Sequence, residues 1–417
     1  MKEVVIVAGV RTPVGKYMGS FKDMQPYDLA AIVIDEVVRR AGIQPELVDQ
    51  VVMGQSYQNG EYVNIARMGL LTAGWPENIP GLTLDSRCCT GLEVVRYAAA
   101  MIVSEQADIV VAGGAESMSN AEFYLPGSIK WGLGGNKGAP KGHGDLSIWG
   151  TPLYDRIQRA RVMSQPEERY GILPTMMSWA ETGAKEHAIT REQCDQWSLE
   201  SHRKACAAAN AGKFVEEMIP IKIVGKRGEQ IVVDRDENPR SDTTIEALSH
   251  LRPVLGGVCT AGNSSTENDG AAAVLMTSAA KAAELGLKPL AVLKSCVCVG
   301  DDPRRAYKTV PIAVNKALQK ANLKLKDMDL IEIQEAFAAQ VLADLKEMGV
   351  APDKYDKVNV NGSGISLGHP IACTGTRVLV TLLHEMKRRN VRYAIETICG
   401  GGGLGIAAVL KRDCSEE

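Results

Sequence analysis

No apolar run in this 417-residue chain approaches the roughly 20 residues needed to span a bilayer. Neither charge is in excess: 47 Lys and Arg stand against 50 Asp and Glu, both signs scattered, for a net charge of −3. That argues against general nucleic-acid binding, which needs a concentrated basic face. The ten cysteines contain no CxxC pair. Cys296-Val297-Cys298 is too tight for the usual zinc knuckle and reads as buried strand, so no metal site is expected. The six histidines include no i,i+4 pair. Because the cysteines are spread over a long chain and not packed into a small secreted frame, reduced thiols are the default. The tail Asp413-Cys414-Ser415-Glu416-Glu417 is not a Ser-Lys-Leu address. The first strand, Val4–Ala8, begins so early that no room is left for a signal or transit peptide, and a cytoplasmic location is expected by elimination.

What is present is an ordinary globular balance, 45% hydrophobic and 23% charged, with length enough for two or three domains. Short apolar strands alternate with amphipathic helices. Val4–Ala8, Val51–Met53, Leu82–Leu84 and Ile109–Ala112 read as strands. Helices fall at 28–41 with Asp28 as cap, at 64–72, and from Leu92 to Ile102. The pattern recurs after residue 270: strands at Val274–Met276, Leu290–Val297, Leu330–Ile333 and Ala394–Ile398, and helices at Pro311–Ala321, Ala336–Met348 and Ile371–Lys387. Strand–helix alternation implies a largely parallel α/β sheet with helices on its faces. The recurrence implies a duplicated α/β unit, with chemistry where the two copies meet. Residues 120–252 break the pattern. A glycine-rich stretch, 127–150, reads as irregular loop. Thr190 with Gln193 is a capping-box signal for a helix toward Asn210, and Lys222–Val233 suggests a hairpin about Gly225–Gly228. The segment reads as an inserted cap.

Three glycine-rich turns carry the chemistry: Asp85-Ser86-Arg87-Cys88-Cys89-Thr90-Gly91, Gly368-His369-Pro370, and Cys399-Gly400-Gly401-Gly402-Gly403. Cys88 lies just ahead of a helix, where partial positive charge and free N–H groups favour a thiolate. A buried small residue is the competing reading, since free cysteine is among the most buried types. Adjacent Cys89 points to a different face, so only one of the pair is expected to be nucleophilic. The glycine and proline flanking His369 fix its backbone, as suits a positioned base or donor; a helix-entry turn with a satisfied imidazole is the alternative. Cys399 precedes a glycine run that exposes N–H groups, as an oxyanion hole needs, or that serves only tight strand packing.

Taken together, these motifs resemble those of the thiolase family over nearly the whole chain. Arg11-Thr12-Pro13-Val14-Gly15-Lys16 matches the family's opening, and Cys88-Cys89-Thr90-Gly91-Leu92 its nucleophile turn. Gly113-Gly114-Ala115-Glu116-Ser117-Met118-Ser119 follows in place. Thr260-Ala261-Gly262-Asn263-Ser264-Ser265 with Asn268-Asp269-Gly270 is similar to the coenzyme A-side loop. The resemblance implies an α/β fold of duplicated βαβαβαββ halves forming a layered α-β-α-β-α core with an inserted cap. The expected divisions are 1–120 with 253–275 for the first half, 121–252 for the cap and 276–417 for the second half. It implies that Cys88 takes the acyl group, His369 draws off its proton, Cys399 serves as acid or base on the second substrate, and the N–H groups of Cys88 and Gly401 stabilise the oxyanion. Coenzyme A, a substrate and not a tightly bound cofactor, is expected against Arg240, Ser265, Ala261, Leu255 and Met176. At least a homodimer is implied, a tetramer being open.

Two departures stand out. Asn-Glu-Ala-Phe of the family appears as Gln334-Glu335-Ala336-Phe337; the family's Asn serves the enolate hole, and Gln334 sets the amide one methylene deeper, where catalysis is sensitive to shifts on the order of 1 Å. The family's His-Met-Gly stretch appears as Thr175-Met176-Met177-Ser178-Trp179, with Trp179 in place of a small residue. Trp131, Trp149 and Tyr154 are candidates for lining a wider acyl pocket, or for packing within the loop. Arg156, Arg159, Arg161 and Arg169 are candidates for the phosphates of coenzyme A, or for a solvated face. The reaction expected is thiolysis of a 3-ketoacyl-CoA or the reverse Claisen condensation. The alternatives are a decarboxylating ketoacyl-synthase type, which Cys399 argues against, and a non-catalytic CoA-ester binder, which only Gln334 favours.

Overall fold

The computed structural model describes residues 2–127, 129, 152–172, 175–225 and 227–412. The first half runs β1 (Val4–Arg11), α1 (Pro26–Ala41), β2 (Gln50–Gly54), α2 (Ile65–Thr72), β3 (Gly81–Leu84), α3 (Thr90–Val103) and β4 (Ile109–Ser117). An insert follows, with α4 (Arg156–Val162), α5 (Met177–Glu186), α6 (Arg191–Asn210) and the hairpin β5 (Ile221–Val224) and β6 (Gln230–Val233). Then come β7 (Asn268–Ser278), β8 (Ala291–Gly300), α7 (Thr309–Ala321), β9 (Leu330–Ile333), α8 (Ala338–Glu347), α9 (Ile371–Arg389), β10 (Tyr393–Gly400) and β11 (Leu404–Lys411).

The strands lie in the order β9-β10-β11-β8-β1-β7-β4-β2-β3. Each half is a mixed sheet, antiparallel where its late strand returns (β1–β7–β4 and β8–β11–β10) and parallel beyond (β4–β2–β3 and β10–β9). Edge to edge, the two sheets pair at Val5↔Val292 and Ile6↔Ala291. In the second half the counterpart of β3 is reduced to a single bridge, Ile331↔Val358.

Strand residues alternate between two buried faces, as period-two side chains must. Val5 and Val7 pack under α1 and α2 with Leu29, Val33 and Leu70, whereas Ile6 faces the middle with Leu92 and Val95 of α3 and Leu379 and Leu383 of α9. The second sheet does the same: Ile398 and Ile406 face the middle, and Ile395 and Val409 pack under α7 and α8. Three apolar cores therefore separate α, β, α, β and α layers, as the resemblance implied. α9 is buried on nearly every side, the signature of a helix in the innermost layer.

In that layer α3 and α9 cross backbone on backbone. A Cβ on Gly91 would sit 2.7 Å from the amide nitrogens of Gly375 and Thr376, and one on Gly375 would sit 2.4 Å from the nitrogen of Leu92. Main chain cannot yield as a side chain can. The insert is fastened to β1 by buried Arg11, whose Nε donates to Glu217 at 2.6 Å and whose Nη1 and Nη2 donate to Asp236 at 2.7 and 3.0 Å.

Several local readings change. Asp28 is not the cap of α1: Gln25 is, and Asp28, at the third helical position, accepts the Gln25 N–H at 3.0 Å. β4 and β7 run well past the expected 109–112 and 274–276, since Gly113 and Gly114 continue the ladder opposite Ala273 and Ala272. β11 was not anticipated, because both of its faces are buried and it shows no polar alternation. The Thr190 capping box and the hairpin stand where expected. The glycines from 132 to 150, Trp131, Trp149 and the tail from 413 lie outside the described residues. Among the described residues no helix is long and apolar enough to cross a membrane, and no group of three or more ligating side chains is placed to hold a metal.

Gly375→Ala should lower unfolding free energy by about 3 kcal/mol, the upper range for overpacking a filled core. Gly60→Ala, where an added Cβ meets nothing within 4 Å, should stay within about 0.5 kcal/mol. Urea unfolding of the pair checks the contrast.

Candidate active site

The α3–α9 crossing brings the N-terminal ends of the two central helices together, and the three turns converge there. Cys88, His369, Cys399 and Gly401 line one cavity of about 480 Å³. Cys88 follows Arg87, which holds a left-handed φ of 54°; this sharp turn directs the two thiols apart. Cys88 opens to the cavity, half-buried. Cys89 is fully buried, its S–H directed at the Ile398 carbonyl 3.7 Å away. Cys399 is the penultimate residue of β10 and is 2% exposed.

His369 is fixed on three sides. Its backbone N–H donates to Asn268 Oδ1 at 2.9 Å, and Asn268 Nδ2 donates to the Gly15 carbonyl at 2.8 Å. Its Nδ1 lies 2.7 Å from Thr374 Oγ1, which donates its own hydrogen to the Pro370 carbonyl at 2.9 Å. With that hydrogen committed, Nδ1 must be the protonated nitrogen. Nε2 is left with its lone pair, buried and without a hydrogen-bond partner among the described residues, on a residue that faces the cavity.

Glu116, wholly buried, ties the halves together. It accepts the N–H groups of Ser56 at 3.0 Å and Tyr57 at 3.1 Å from the first half, and that of Ala372 at 3.1 Å at the start of α9. Burial raises its carboxyl to about 7 against these three donors.

The two thiols and the imidazole rest uncharged. Burial pushes the Cys88 thiol up to about 11, opposed by the N–H groups of Gly401 and of Cys88 itself, which face the sulfur, and by Arg87. The expectation that helix entry alone would favour the thiolate is corrected: loss of water outweighs those donors. Burial likewise lowers His369 to about 3, aided by the charges of Arg377 and Arg161. Cys399 is pushed well above the ordinary thiol range by burial, with Asp344 and Cys88 adding to it.

The remaining candidates divide. Arg240, Ala261, Ser265 and Met176 line the cavity, and Arg240 and Ala261 also line an adjoining one of about 290 Å³. Leu255 is 40% exposed and lines neither. Gln334 is fully buried behind Ala336 and Phe337, which do line the cavity. Its amide lies against Gly364, where a Cβ would meet its Nε2 at 2.3 Å, and neither amide atom has a hydrogen-bond partner among the described residues. Trp179 meets Phe337 edge to face at 5.2 Å and lines the cavity with Met176 and Met177. A Cβ at 401 would fall 2.2 Å from Met176 Cε, so any side chain there would displace the tip of Met176. Tyr154 stacks on Tyr124 at 5.4 Å beneath Arg159 and stands off the cavity. Of the four arginines only Arg161 lines it; Arg156 pairs with Glu122 and Arg169 covers Tyr170. Thr374, Tyr57 and Arg161 were not singled out for the catalytic centre. Thr374 alone had a signal, a hydroxyl one helical turn after Pro370.

Alkylation of Cys88 by iodoacetamide should titrate with a midpoint above the ~8.5 of free cysteine, toward about 11, because burial disfavours the charged form and raises the pKa. Peptide mapping across pH should find Cys89 unmodified throughout.

Two family models cover nearly the whole chain. "Thiolase, N-terminal domain" matches residues 4–280 and "Thiolase, C-terminal domain" residues 287–412. The chain is 42% identical to an acetyl-CoA acetyltransferase of Cupriavidus necator over 414 residues, 99% of this chain and 100% of the relative. It is 41% identical to the beta-ketothiolase BktB of the same organism, covering 99% of each. Among solved structures, the Bacillus anthracis acetyl-CoA acetyltransferase superposes with a TM-score of 0.89 at 38% identity, covering 99% of each chain. Human mitochondrial 3-ketoacyl-CoA thiolase in complex with CoA gives 0.88 at 34% identity, covering 99% of this chain and 98% of that one.

Proposed function

We propose a residue-by-residue chemistry for this chain on the premise that it belongs to the thiolase family. It is an acyltransferase that cleaves a 3-ketoacyl-CoA with coenzyme A, or runs the reverse Claisen condensation, and coenzyme A is a substrate and not a resident cofactor.

In thiolysis His369 Nε2 takes the Cys88 proton as the sulfur attacks the 3-keto carbon. The N–H groups of Cys88 and Gly401, which face that sulfur, receive the oxyanion. Collapse breaks the bond between carbons 2 and 3, and Cys399 gives its proton to the departing acetyl-CoA carbanion. The acyl group stays on Cys88. Coenzyme A then enters, yields its thiol proton to Cys399, and its sulfur takes the acyl group; Cys88 leaves as thiolate and recovers its proton from His369. One observation carries this reading: the Nε2 of His369, left unprotonated by the Thr374–Pro370 bond and without a partner among the described residues, shares a cavity with both thiols. Gln334, one layer back, contributes through a bridging water and not by direct contact.

Coenzyme A lies along the junction of the two cavities, past Met176, Ser265, Ala261 and Arg240; Leu255 contacts only its outer end. The protein works in a reducing, cytoplasmic setting, which its nine described free cysteines support, and it assembles at least as a homodimer, for which β3 offers an edge strand with one free side. The division into halves 1–120 with 253–275 and 276–417, with 121–252 as cap, is part of this proposal.

Intact-mass and peptide analysis after incubation with acetyl-CoA should find an acetyl group on Cys88, absent from Cys88→Ser. Cys399→Ser should still acylate but lose thiolysis of acetoacetyl-CoA by about 10²-fold or more, the scale of a positioned acid–base group. An unlabelled Cys88 would return the protein to the class of CoA-ester binders. Light scattering on a sizing column should give at least twice the chain mass.

A further inference from the structure

Four cationic side chains line the larger cavity, Lys16, Arg87, Arg161 and Arg240, against one acid, Glu267. Arg240 sits where the smaller cavity joins; the other three belong to the larger cavity alone. Arg161 is placed by packing. α4 seats Ile157 and Ala160 on Tyr57, Met118 and Ile371, and Ile371 opens α9 just beyond His369. Arg161 Nη2 then donates to Glu267 Oε1 at 2.5 Å, beside Asn268, the residue that holds the His369 backbone. The charge of Arg161 is felt at both the His369 imidazole and the Tyr57 hydroxyl, and that of Arg87 at Cys88 and Tyr57. Two guanidinium groups thus share the larger cavity with the nucleophile and base, and neither lines the smaller one.

A plain alkyl chain gains nothing from such walls, since covering a charge with hydrocarbon costs its hydration. We propose, resting on the thiolase reading above, that the acyl end of this cavity is built for a 3-ketoacyl-CoA whose far end carries a carboxylate, the half-thioester of a 3-oxo dicarboxylic acid, with Arg161 as its recognising group and Arg87 adding to the local field. With Nη2 on Glu267 and Nη1 at 3.4 Å from Gln158, the five N–H donors of the guanidinium are not exhausted. Glu267 holds the fork in place, so less side-chain freedom is lost when the substrate binds. The phosphates of coenzyme A are the other anions of comparable chemistry, and the experiment separates the two.

Steady-state thiolysis by the full chain is compared for 3-oxoadipyl-CoA and 3-oxohexanoyl-CoA, equal in carbon number and different in terminal charge, with acetoacetyl-CoA as the control for thiolase activity itself. The expected kcat/KM ratio favours the carboxylate substrate by about 10-fold or more, the size of one charge-assisted hydrogen bond. Arg161→Gln should bring that ratio toward one, and Arg161→Lys should keep part of it, retaining the charge without the fork. A ratio of one or below in the unsubstituted protein overturns the proposal, as does cleavage of acetoacetyl-CoA with neither longer substrate turned over. An Arg161→Gln protein whose KM for coenzyme A rises while the ratio holds assigns the arginine to the phosphates instead. Failure on all three substrates counts against the thiolase reading.

Discussion

Everything at the centre of this molecule is set by how closely α3 and α9 approach. The contact between Gly91 and Gly375 leaves no space for a side chain, so the helices touch main chain to main chain and their N-terminal ends meet. Cys88 rides on one end and His369 on the other. The sheets are joined edge to edge by only two residue pairs, and the geometry of the reacting groups is fixed instead by the helical layer between them, with the Glu116 carboxylate bonded to both sides of the join. This is the arrangement in which a duplicated unit gains a property neither copy has alone.

The reacting groups rest uncharged. Burial raises both thiols and lowers the imidazole, so a thiolate–imidazolium pair would have to form against the loss of hydration of both partners. The proton therefore moves when substrate is in place and the N–H groups of Cys88 and Gly401 have an oxyanion to receive. The fixed tautomer of His369 makes that transfer directional. Thr374 holds one nitrogen protonated, and only the other is free to accept.

Most of the scaffold could be read from residue pattern. α1, α3 and α9 show it in their apolar spacing, and α6 announces itself through Thr190 and Gln193. What escaped reading was structure buried on both faces or set by distant partners. β11 has no polar alternation, and Gly113 and Gly114 look like a strand's end yet continue it, because a neighbouring strand and the start of α9 press close: a Cβ on Gly114 would lie 1.9 Å from the Ala372 carbonyl oxygen. Cys88, His369, Cys399 and Gly401 were legible because glycine and proline punctuate their turns. The acidity of Cys88 was not, since burial is a property of the assembled fold. Arg161 was legible only as one of four arginines that could meet the phosphates of coenzyme A, and Tyr57 carries no local signature; the packing of α4 on Tyr57 and Ile371 sets Arg161 at the cavity. Gln334 was visible as a departure, but that its amide would lie on Gly364 depends on a turn 30 residues away in sequence.

Met176 and Trp179 reach the cavity from the insert, as does Arg161, while the sulfur that reacts and the imidazole that serves it stand on the twin-sheet core. The insert is moored to that core by the buried Arg11 cluster. The groups that break and form bonds thus stand on the core, while part of the cavity wall around them comes from the insert. Descendants of such a protein can trade one diet for another by rewriting the insert, with the ancient reaction passed on untouched.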